Sequence, residues 1–455
     1  MKTTAVIMAA GQGTRMKSDL PKVLHPIAGQ PMLWHSLQAA QAAADEVPVV
    51  IVGHGAEQVQ EAMTARGLEA RFVTQSERLG TGHAVQQTEK TLKNKTDLVL
   101  VTPADLPLLT PETLQSLVEG QKNNSGPMSM LTVMADDPRG FGRILRDREG
   151  NVRAIVEEAQ ATPEQKAIRE LNVGAYCFRA DWLWEALTRI ELSPKGEYYL
   201  TDLLGIAVGD DETVQAITLE DAAETVGINT RIHLADAETT MRQRINEHWM
   251  LSGVTLIDPA STYIEASVTI GPETTIQPNT HLKGNTTIGS HCDLGPNTII
   301  RDTQIGNHCE ILSSVVEEAL IEDEVDIGPF GHLRKGAHLA KGVHMGNFGE
   351  VKNSYLAPGV KVGHFSYLGD ATIGENTNIG AGTITCNYDG ERKHKTAIGR
   401  DVFIGSDTML VAPLNIEDGG RTGAGSVVTK DIKAYTLVAG IPARAIRKLD
   451  KPEES

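Results

Sequence analysis

The sequence predicts an α/β domain, a connecting helix and a parallel β-helix, and three observations predict it. From Ile264 to Val428 an aliphatic residue returns at every sixth position. It does so at Ile264, Ile270, Ile276, Leu282, Ile288, Leu294 and Ile300, and after a slip at Ile321, Ile327, Leu333, Leu339, Met345 and Val351. Neither a helix nor a hairpin repeats at six, whereas a triangular coil with one hexapeptide per flat side and corner does. Between Thr3 and Thr102, apolar runs alternate with helical spacing, the pattern of a parallel α/β sheet. Between these two regions Leu234, Ala237, Met241, Ile245 and Trp249 lie on one side of a helix from Asn229 to about Leu251.

At 455 residues the chain exceeds one ordinary core. The expected organisation is a domain over 1–228, a linker helix over 229–251, coils over 252–437 and a tail over 438–455, with Pro259 marking the start of the coils. The net charge of -17, from 42 Lys and Arg against 59 Asp and Glu, argues against general nucleic-acid binding and confines any phosphate binding to local sites. No signal peptide fits Met1 to Gly13, and no apolar stretch approaches the roughly 18 residues of a membrane span, so a cytoplasmic location is expected. Cys177, Cys292, Cys309 and Cys386 show neither metal spacing nor a disulfide framework and read as reduced packing thiols.

Taken in order, the first strand, Thr3 to Ala9, runs into Ala9-Ala10-Gly11-Gln12-Gly13-Thr14-Arg15-Met16. A glycine loop after a first strand brings backbone amides close to a phosphate. It is neither a P-loop nor a dinucleotide fingerprint, since no Gly-Lys-Ser/Thr and no third glycine follows. Lys22, in Pro21-Lys22-Val23-Leu24, joins Arg15 as a second cation for the same phosphates; surface charge is the alternative for both. Val47–Val52 is the second strand, 57–66 a helix and Ala70–Thr74 the third strand. Gln75, Gly80 and Thr81 follow that strand's carboxyl end, where ligands of open α/β sheets collect, and suit a base or sugar. His83 is expected to cap or pack. The strand Asp97–Thr102 ends at Pro103-Ala104-Asp105-Leu106-Pro107, and Asp105 there is a natural Mg²⁺ ligand or a helix cap.

In the coils, residues eighteen apart face each other on adjacent turns, about 4.8 Å apart. Arg334 and Lys352 are so spaced. Two adjacent cations repel unless an anion lies between them, which predicts a phosphate or carboxylate site; two solvated surface cations are the alternative. Eight of the fourteen His fall between 281 and 394, yet His332, His338 and His344 are six apart, which sends them to three faces and excludes a shared metal. They are expected at solvated corners. The rhythm breaks for 386–395 before Ile398 restores it, and such breaks place a loop on a binding face.

Further motifs are Arg139-Gly140-Phe141-Gly142-Arg143, Val156-Glu157-Glu158, Leu171-Asn172-Val173-Gly174, Gly196-Glu197-Tyr198-Tyr199-Leu200-Thr201-Asp202 and Gly227-Ile228-Asn229. Together with Ala9–Arg15, Pro21–Leu24, Leu79–His83 and Asp105–Pro107 they resemble the sugar-1-phosphate nucleotidylyltransferases. With the coils attached, nearly the whole chain resembles the bacterial bifunctional N-acetylglucosamine-1-phosphate uridylyltransferases and glucosamine-1-phosphate N-acetyltransferases. The resemblance implies a Rossmann-like nucleotidylyltransferase domain, a connecting helix and a left-handed parallel β-helix of hexapeptide repeats that trimerises. It implies UTP and acetyl-CoA as substrates, Mg²⁺ as cofactor, and UDP-N-acetylglucosamine for cell-envelope polysaccharides as product.

By the same resemblance Ala9, Ala10, Gly11, Gly13, Arg15 and Lys22 hold the uridine nucleotide, with Gln75, Gly80 and Thr81 around the uracil. Gly140, Glu157 and Asn172 hold the N-acetylglucosamine moiety, and Asp105 and Asn229 carry Mg²⁺. The family usually has an aromatic residue and Gly where Pro103 and Ala104 stand, so a contact at 103 does not carry over. In the coils, His364 of Gly363-His364-Phe365-Ser366-Tyr367-Leu368-Gly369-Asp370 corresponds to the base that deprotonates the glucosamine amine. Arg334, Lys352, Tyr367, Asn378 and Asn387 hold glucosamine-1-phosphate, and Glu350 orients the amine or His364. Ala381, Tyr388, Ser406 and Ala424 contact acetyl-CoA. Ile441 replaces a family Arg for coenzyme A, with Arg444 as the nearby substitute. The competing expectation is a single-activity nucleotidylyltransferase whose coils are only scaffold.

Overall fold

The computed structural model describes residues 1–138 and 140–450; Arg139 and the end of the tail, 451–455, lie outside the described residues. The chain divides into two compact units, 1–241 and 242 onward.

In chain order the strands of the first unit's main sheet are β1 (Thr3–Ala9), β2 (Val49–Val52), β3 (Arg71–Thr74), β4 (Leu98–Pro103), β5 (Met128–Met134), β6 (Arg143–Arg146), β7 (Val152–Val156), β8 (Glu170–Arg179) and β9 (Val214–Leu219). The second strand starts at Val49 rather than Val47, because Pro48 has no N–H for a ladder. β1 pairs in parallel with β2 and β4, and β3 follows β2. The strands expected up to Thr102 are thus parallel, and the sheet becomes mixed beyond them: β8 is antiparallel to both β4 and β5, with β9 parallel to β5 at the edge. The hairpin β6–β7 hangs from β8.

Side chains on both faces of the sheet are buried. Ile7 and Leu100 pack with Leu33 and Leu37 on one face, and Val6 and Val99 with Leu183 and Leu203 on the other. Such strands read as unbroken apolar runs, which is why β1, β2 and β4 are legible. β1 is the point from which the strand order runs both ways, so a crevice opens beyond the carboxyl ends of β1 and β4. Ala9 and Asp105 flank it.

The second unit is a coil of three sheets with twelve, ten and nine strands, parallel except for the last of the twelve, Arg444–Lys448, which is antiparallel to Thr436–Ala439. Leu282 pairs with Ile300, and the inward aliphatics stack into one core in which Ile276, Leu294, Leu333, Met345 and Val351 are fully buried. The slip lies in the corners: Thr269 pairs with Thr287, Thr287 with Gln304 and Gln304 with Leu320, so successive turns shorten while the flat sides are kept. Buried threonines line the corners inside, as where Thr280 Oγ1 donates to Gln277 O at 2.8 Å. The coils begin at Thr255, which pairs with Thr275, and not at Pro259; that proline sits in the short turn Pro259–Ser261 at the first corner. The 386–395 excursion is an insertion, since Ala371 pairs with Thr396.

His332, His338 and His344 stand on three different sheets. They are not corner residues. Each lies on a flat side beside a carboxylate of the preceding turn: His338 Nε2 is 2.7 Å from Glu322, His344 meets Asp326, and His332 is 3.7 Å from Glu317. The helix Arg231–Leu251 spans the division between units. Leu234 and Met241 pack on the first unit's core, Ile245 and Trp249 on the coil core. The four cysteines are free thiols, with Cys177, Cys292 and Cys309 buried. Among the described residues no helix is long and apolar enough to cross a membrane.

Candidate functional sites

The glycine loop leaves β1 and turns at Gly13, whose φ of 65° favours glycine. A Cβ there would lie 2.5 Å from Lys22 Cβ, so the missing side chain lets Lys22 press against the loop. The Lys22 ammonium donates to Asp105 Oδ2 at 2.6 Å and to Asn229 Oδ1 at 2.9 Å. Arg15 Nη2 reaches the same Asn229 oxygen at 2.8 Å. Ile228 N bonds to Asp105 O at 2.9 Å and fixes the two segments side by side. Two oxygens and two cations that are far apart in sequence thus converge at the crevice.

Across the crevice, Gln75 Nε2 donates to Gly80 O at 3.0 Å and lies 3.1 Å from His83 Nδ1. His83 therefore orients Gln75. Gly80 has φ of 94°, and a Cβ there would lie 2.5 Å from Tyr198 O. Thr81 Oγ1 accepts from Leu200 N at 2.9 Å. These contacts join the 79–82 loop to the Gly196–Asp202 segment.

Ala9, Ala10, Gly11, Lys22, Gln75, Gly80 and Thr81 line a cleft of about 400 Å³. It continues into a second of about 610 Å³ lined by Gly140, Glu157, Asn172 and Asn229. Thr81, Pro103, Asp105 and Tyr199 belong to both. Pro103 thus stands at the junction, while Ala104 is fully buried with its amide on Met8 O.

In the larger cleft, desolvation raises the Glu157 carboxyl above its ordinary range, the charge of Asp202 adds to this, and Lys195 opposes it. Asp202 is raised by desolvation as well. Asn172 Nδ2 donates to Tyr176 Oη at 2.8 Å, and burial pushes that phenol upward. Sequence reasoning assigned no role to Tyr176, Lys195 or Tyr199, since none belongs to a phosphate or metal pattern.

In the coils, Arg334 and Lys352 follow Leu333 and Val351, which pair directly. The register prediction holds, with two additions. Arg334 Nη1 already donates to Glu350 Oε1 at 2.8 Å, so Glu350 partners the guanidinium and not His364. Lys393, from the inserted loop, is the larger cause of a lowered Lys352 pKa, with Arg334 next. Three cations therefore crowd one face. Lys393 escaped notice because its placement depends on how the insertion folds back.

Tyr367 pairs with Glu350 on the next turn. Its hydroxyl and Asn387 Nδ2 flank Gly369, where a Cβ would lie 2.3 and 2.7 Å from them. Asn387 Nδ2 is held by Asp370 Oδ2 at 2.6 Å.

His364 is exposed at the corner between two sheets, its Nδ1 3.4 Å from Asn347 Oδ1 on the turn before. Ala381, Ser406 and Ala424 occupy the same corner of the next turns, stacked by Gly382 N to Phe365 O, Asp407 N to Ala381 O and Gly425 N to Ser406 O. Asn378 lies on the twelve-stranded sheet, whereas Arg334, Lys352 and Tyr367 lie on or directly beside strands of the ten-stranded one. Within one chain they form no single cluster. Tyr388 is exposed on the insertion, its hydroxyl on Gly390 O at 2.6 Å. Arg444 is exposed, its Nη1 donating to Ala443 O at 2.9 Å.

Residues 5–171 match the family model of the MobA-like NTP transferase domain, and 267–302 that of the bacterial transferase hexapeptide with six repeats. The bifunctional protein GlmU of Heliobacterium modesticaldum is 48% identical over 96% of this chain and 95% of its own. That of Exiguobacterium sibiricum is 48% identical over 100% of both chains. At such identity over its full length, the chain belongs to the family of bifunctional GlmU proteins.

Proposed function

We propose that the chain makes UDP-N-acetylglucosamine in two steps: acetyl transfer from acetyl-CoA to glucosamine-1-phosphate at the coils, then uridylyl transfer from UTP at the crevice. The observation that carries this reading is full-length kinship with relatives named bifunctional, in which one chain spans both kinds of domain.

In the acetyl transfer, the glucosamine nitrogen attacks the thioester carbonyl, His364 takes its proton, and the coenzyme A thiolate leaves. Asn347 holds the imidazole by Nδ1, leaving Nε2 for the amine. Arg334, Lys352 and Lys393 take the sugar's phosphate, with Tyr367 and Asn387 beside it. Asn378, on the neighbouring face, and Tyr388, on the insertion, complete the substrate contacts, and Ala381, Ser406 and Ala424 offer a small-residue corner for acetyl-CoA.

In the uridylyl transfer, a phosphate oxygen of N-acetylglucosamine-1-phosphate attacks the α-phosphorus of UTP and pyrophosphate leaves. That oxygen is already ionised, so no protein base is required, and catalysis rests on positioning and charge neutralisation by Arg15 and Lys22. Gly140, Glu157 and Asn172 hold the sugar. Asp105 and Asn229 would hold Mg²⁺, and two hard oxygens already converging on an ammonium suit such a cation completed by substrate phosphates. When bound, it neutralises phosphate charge.

Assembly as a homotrimer and action in the cytoplasm, supplying cell-envelope synthesis, belong to the same reading. An exposed ladder of Phe330, Phe348 and Phe365 beside the His364 corner supports burial against another copy. The test is to assay each half-reaction separately with the full chain. Absence of thioester cleavage with glucosamine-1-phosphate would reduce the coils to scaffold; absence of pyrophosphate release would refute the other half.

A further inference from the structure

We propose that Arg78 is a further nucleotide-binding residue, gripping the pyrophosphate end of UTP; the assignment rests on the uridylyl-transfer reading above. Arg78 Nη1 donates to Gln12 Oε1 at 2.6 Å. Gln12 belongs to the glycine loop and Arg78 to the loop between Gln75 and Gly80, so this bond joins the two rims of the nucleotide cleft. Both residues line it. The Arg78 loop is anchored at its base, where Gln75 Nε2 holds Gly80 O and Tyr198 N bonds to Leu79 O at 2.7 Å. The guanidinium therefore projects from a fixed point.

Charge and direction identify the ligand. Several arginines of this domain are paired with carboxylates, as Arg146 is with Glu170, Arg153 with Asp147 and Arg189 with Asp210, whereas Arg15 and Arg66 reach neutral side chains. Among the described residues Arg78 likewise has a neutral side-chain partner, which leaves most of its five donors for an anion. Asp105, Thr81, Pro103 and Tyr199 line both clefts, whereas Arg78 and Gln12 line only the nucleotide cleft. In an in-line displacement the leaving group departs opposite the attacking oxygen. The sugar phosphate enters from the larger cleft, so the pyrophosphate must lie on the far side. Of the two cations that line the nucleotide cleft among the described residues, Lys22 is already held by Asp105 and Asn229, which leaves Arg78 for the pyrophosphate.

The experiment compares the full chain with Arg78→Ala and Arg78→Lys. In Arg78→Ala, KM for UTP, and for pyrophosphate in the reverse direction, should rise about 10-fold, the loss of one or two charge-assisted hydrogen bonds. KM for N-acetylglucosamine-1-phosphate and for UDP-N-acetylglucosamine should be unchanged, acetyl transfer likewise, and Arg78→Lys should keep part of the effect. Calorimetry with UTP and UMP, without turnover, should show the preference for UTP over UMP falling by the same factor. Equal weakening of both nucleotides, or of neither, overturns the assignment. A parent chain that binds both nucleotides but transfers nothing would overturn the reading of the reaction, while the UTP/UMP comparison still decides on Arg78.

Discussion

The Lys22 ammonium stands 2.6 Å from the Asp105 carboxylate and 2.9 Å from Asn229 Oδ1, the two oxygens proposed above to hold a divalent cation. On that proposal lysine and metal would compete for the same two oxygens. In the chain alone the ammonium neutralises Asp105; with nucleotide and metal bound it would be released to the phosphates. Lys22→Met should thus bind Mn²⁺ more tightly than the parent without nucleotide, read from the free-ion resonance, while losing about 10²-fold or more in uridylylation. Asp105→Asn should lose both. A Lys22→Met chain with weaker metal binding would refute the competition.

Glu157 gives a pH-dependent prediction. Desolvation raises its folded pKa, helped by Asp202, so the folded chain holds protons more tightly than the unfolded one. For such a group the stability contribution is fully present below the ordinary carboxyl pKa and is lost as pH rises through the raised value. Glu157→Gln should therefore melt higher than the parent at neutral pH, and the difference should vanish below about pH 4. Its KM for N-acetylglucosamine-1-phosphate should rise. A variant with the same melting difference at both pH values would refute the linkage.

Much of this was legible because it depends on periodicity or on short spacings. The six-residue step places Leu333 against Val351 whatever the rest of the chain does, so Arg334 and Lys352 could be paired from the register alone. The glycine loop and Asp105 announce themselves at strand ends. What stayed hidden depends on how segments fold back. Lys393 meets Lys352 only through the insertion's return, and Arg78 meets Gln12 across 66 positions. Antiparallel β8 escaped because a buried apolar strand carries no mark of direction. The histidines misled because a residue beside an inward aliphatic can face a carboxylate one turn away and need not sit at a corner.

The crowding of Lys352 by Lys393 and Arg334 predicts a proton linkage. Its ammonium pKa is lowered by the two neighbouring charges, and a bound phosphate would offset them and raise it again. Binding should then take up protons on the alkaline side, below the ordinary lysine value of about 10.4. Calorimetry of glucosamine-1-phosphate binding in two buffers of different ionisation heat would read this uptake. Lys393→Ala should abolish most of it and raise KM for glucosamine-1-phosphate about 10-fold. Uptake that persists in Lys393→Ala would place its source elsewhere.

On the acetyl-transfer reading proposed above, the His364–Asn347 contact separates the proposed base from the residue that would position it. His364→Ala should lose acetyl transfer by about 10²-fold or more, the low end for a general base, and keep uridylylation, since the base is removed and the other unit is untouched. Asn347 touches only Nδ1, 3.4 Å away, and acts through the imidazole's orientation. Asn347→Ala should therefore lower kcat for acetyl transfer less than His364→Ala does, leave KM for acetyl-CoA unchanged and move the acidic limb of the kcat/KM pH profile. Asn347→Asp should move that limb upward instead, because a carboxylate beside the ring favours the imidazolium. A profile that stays put in both variants would mean that Asn347 supports the corner backbone alone and that His364 is oriented by the substrate.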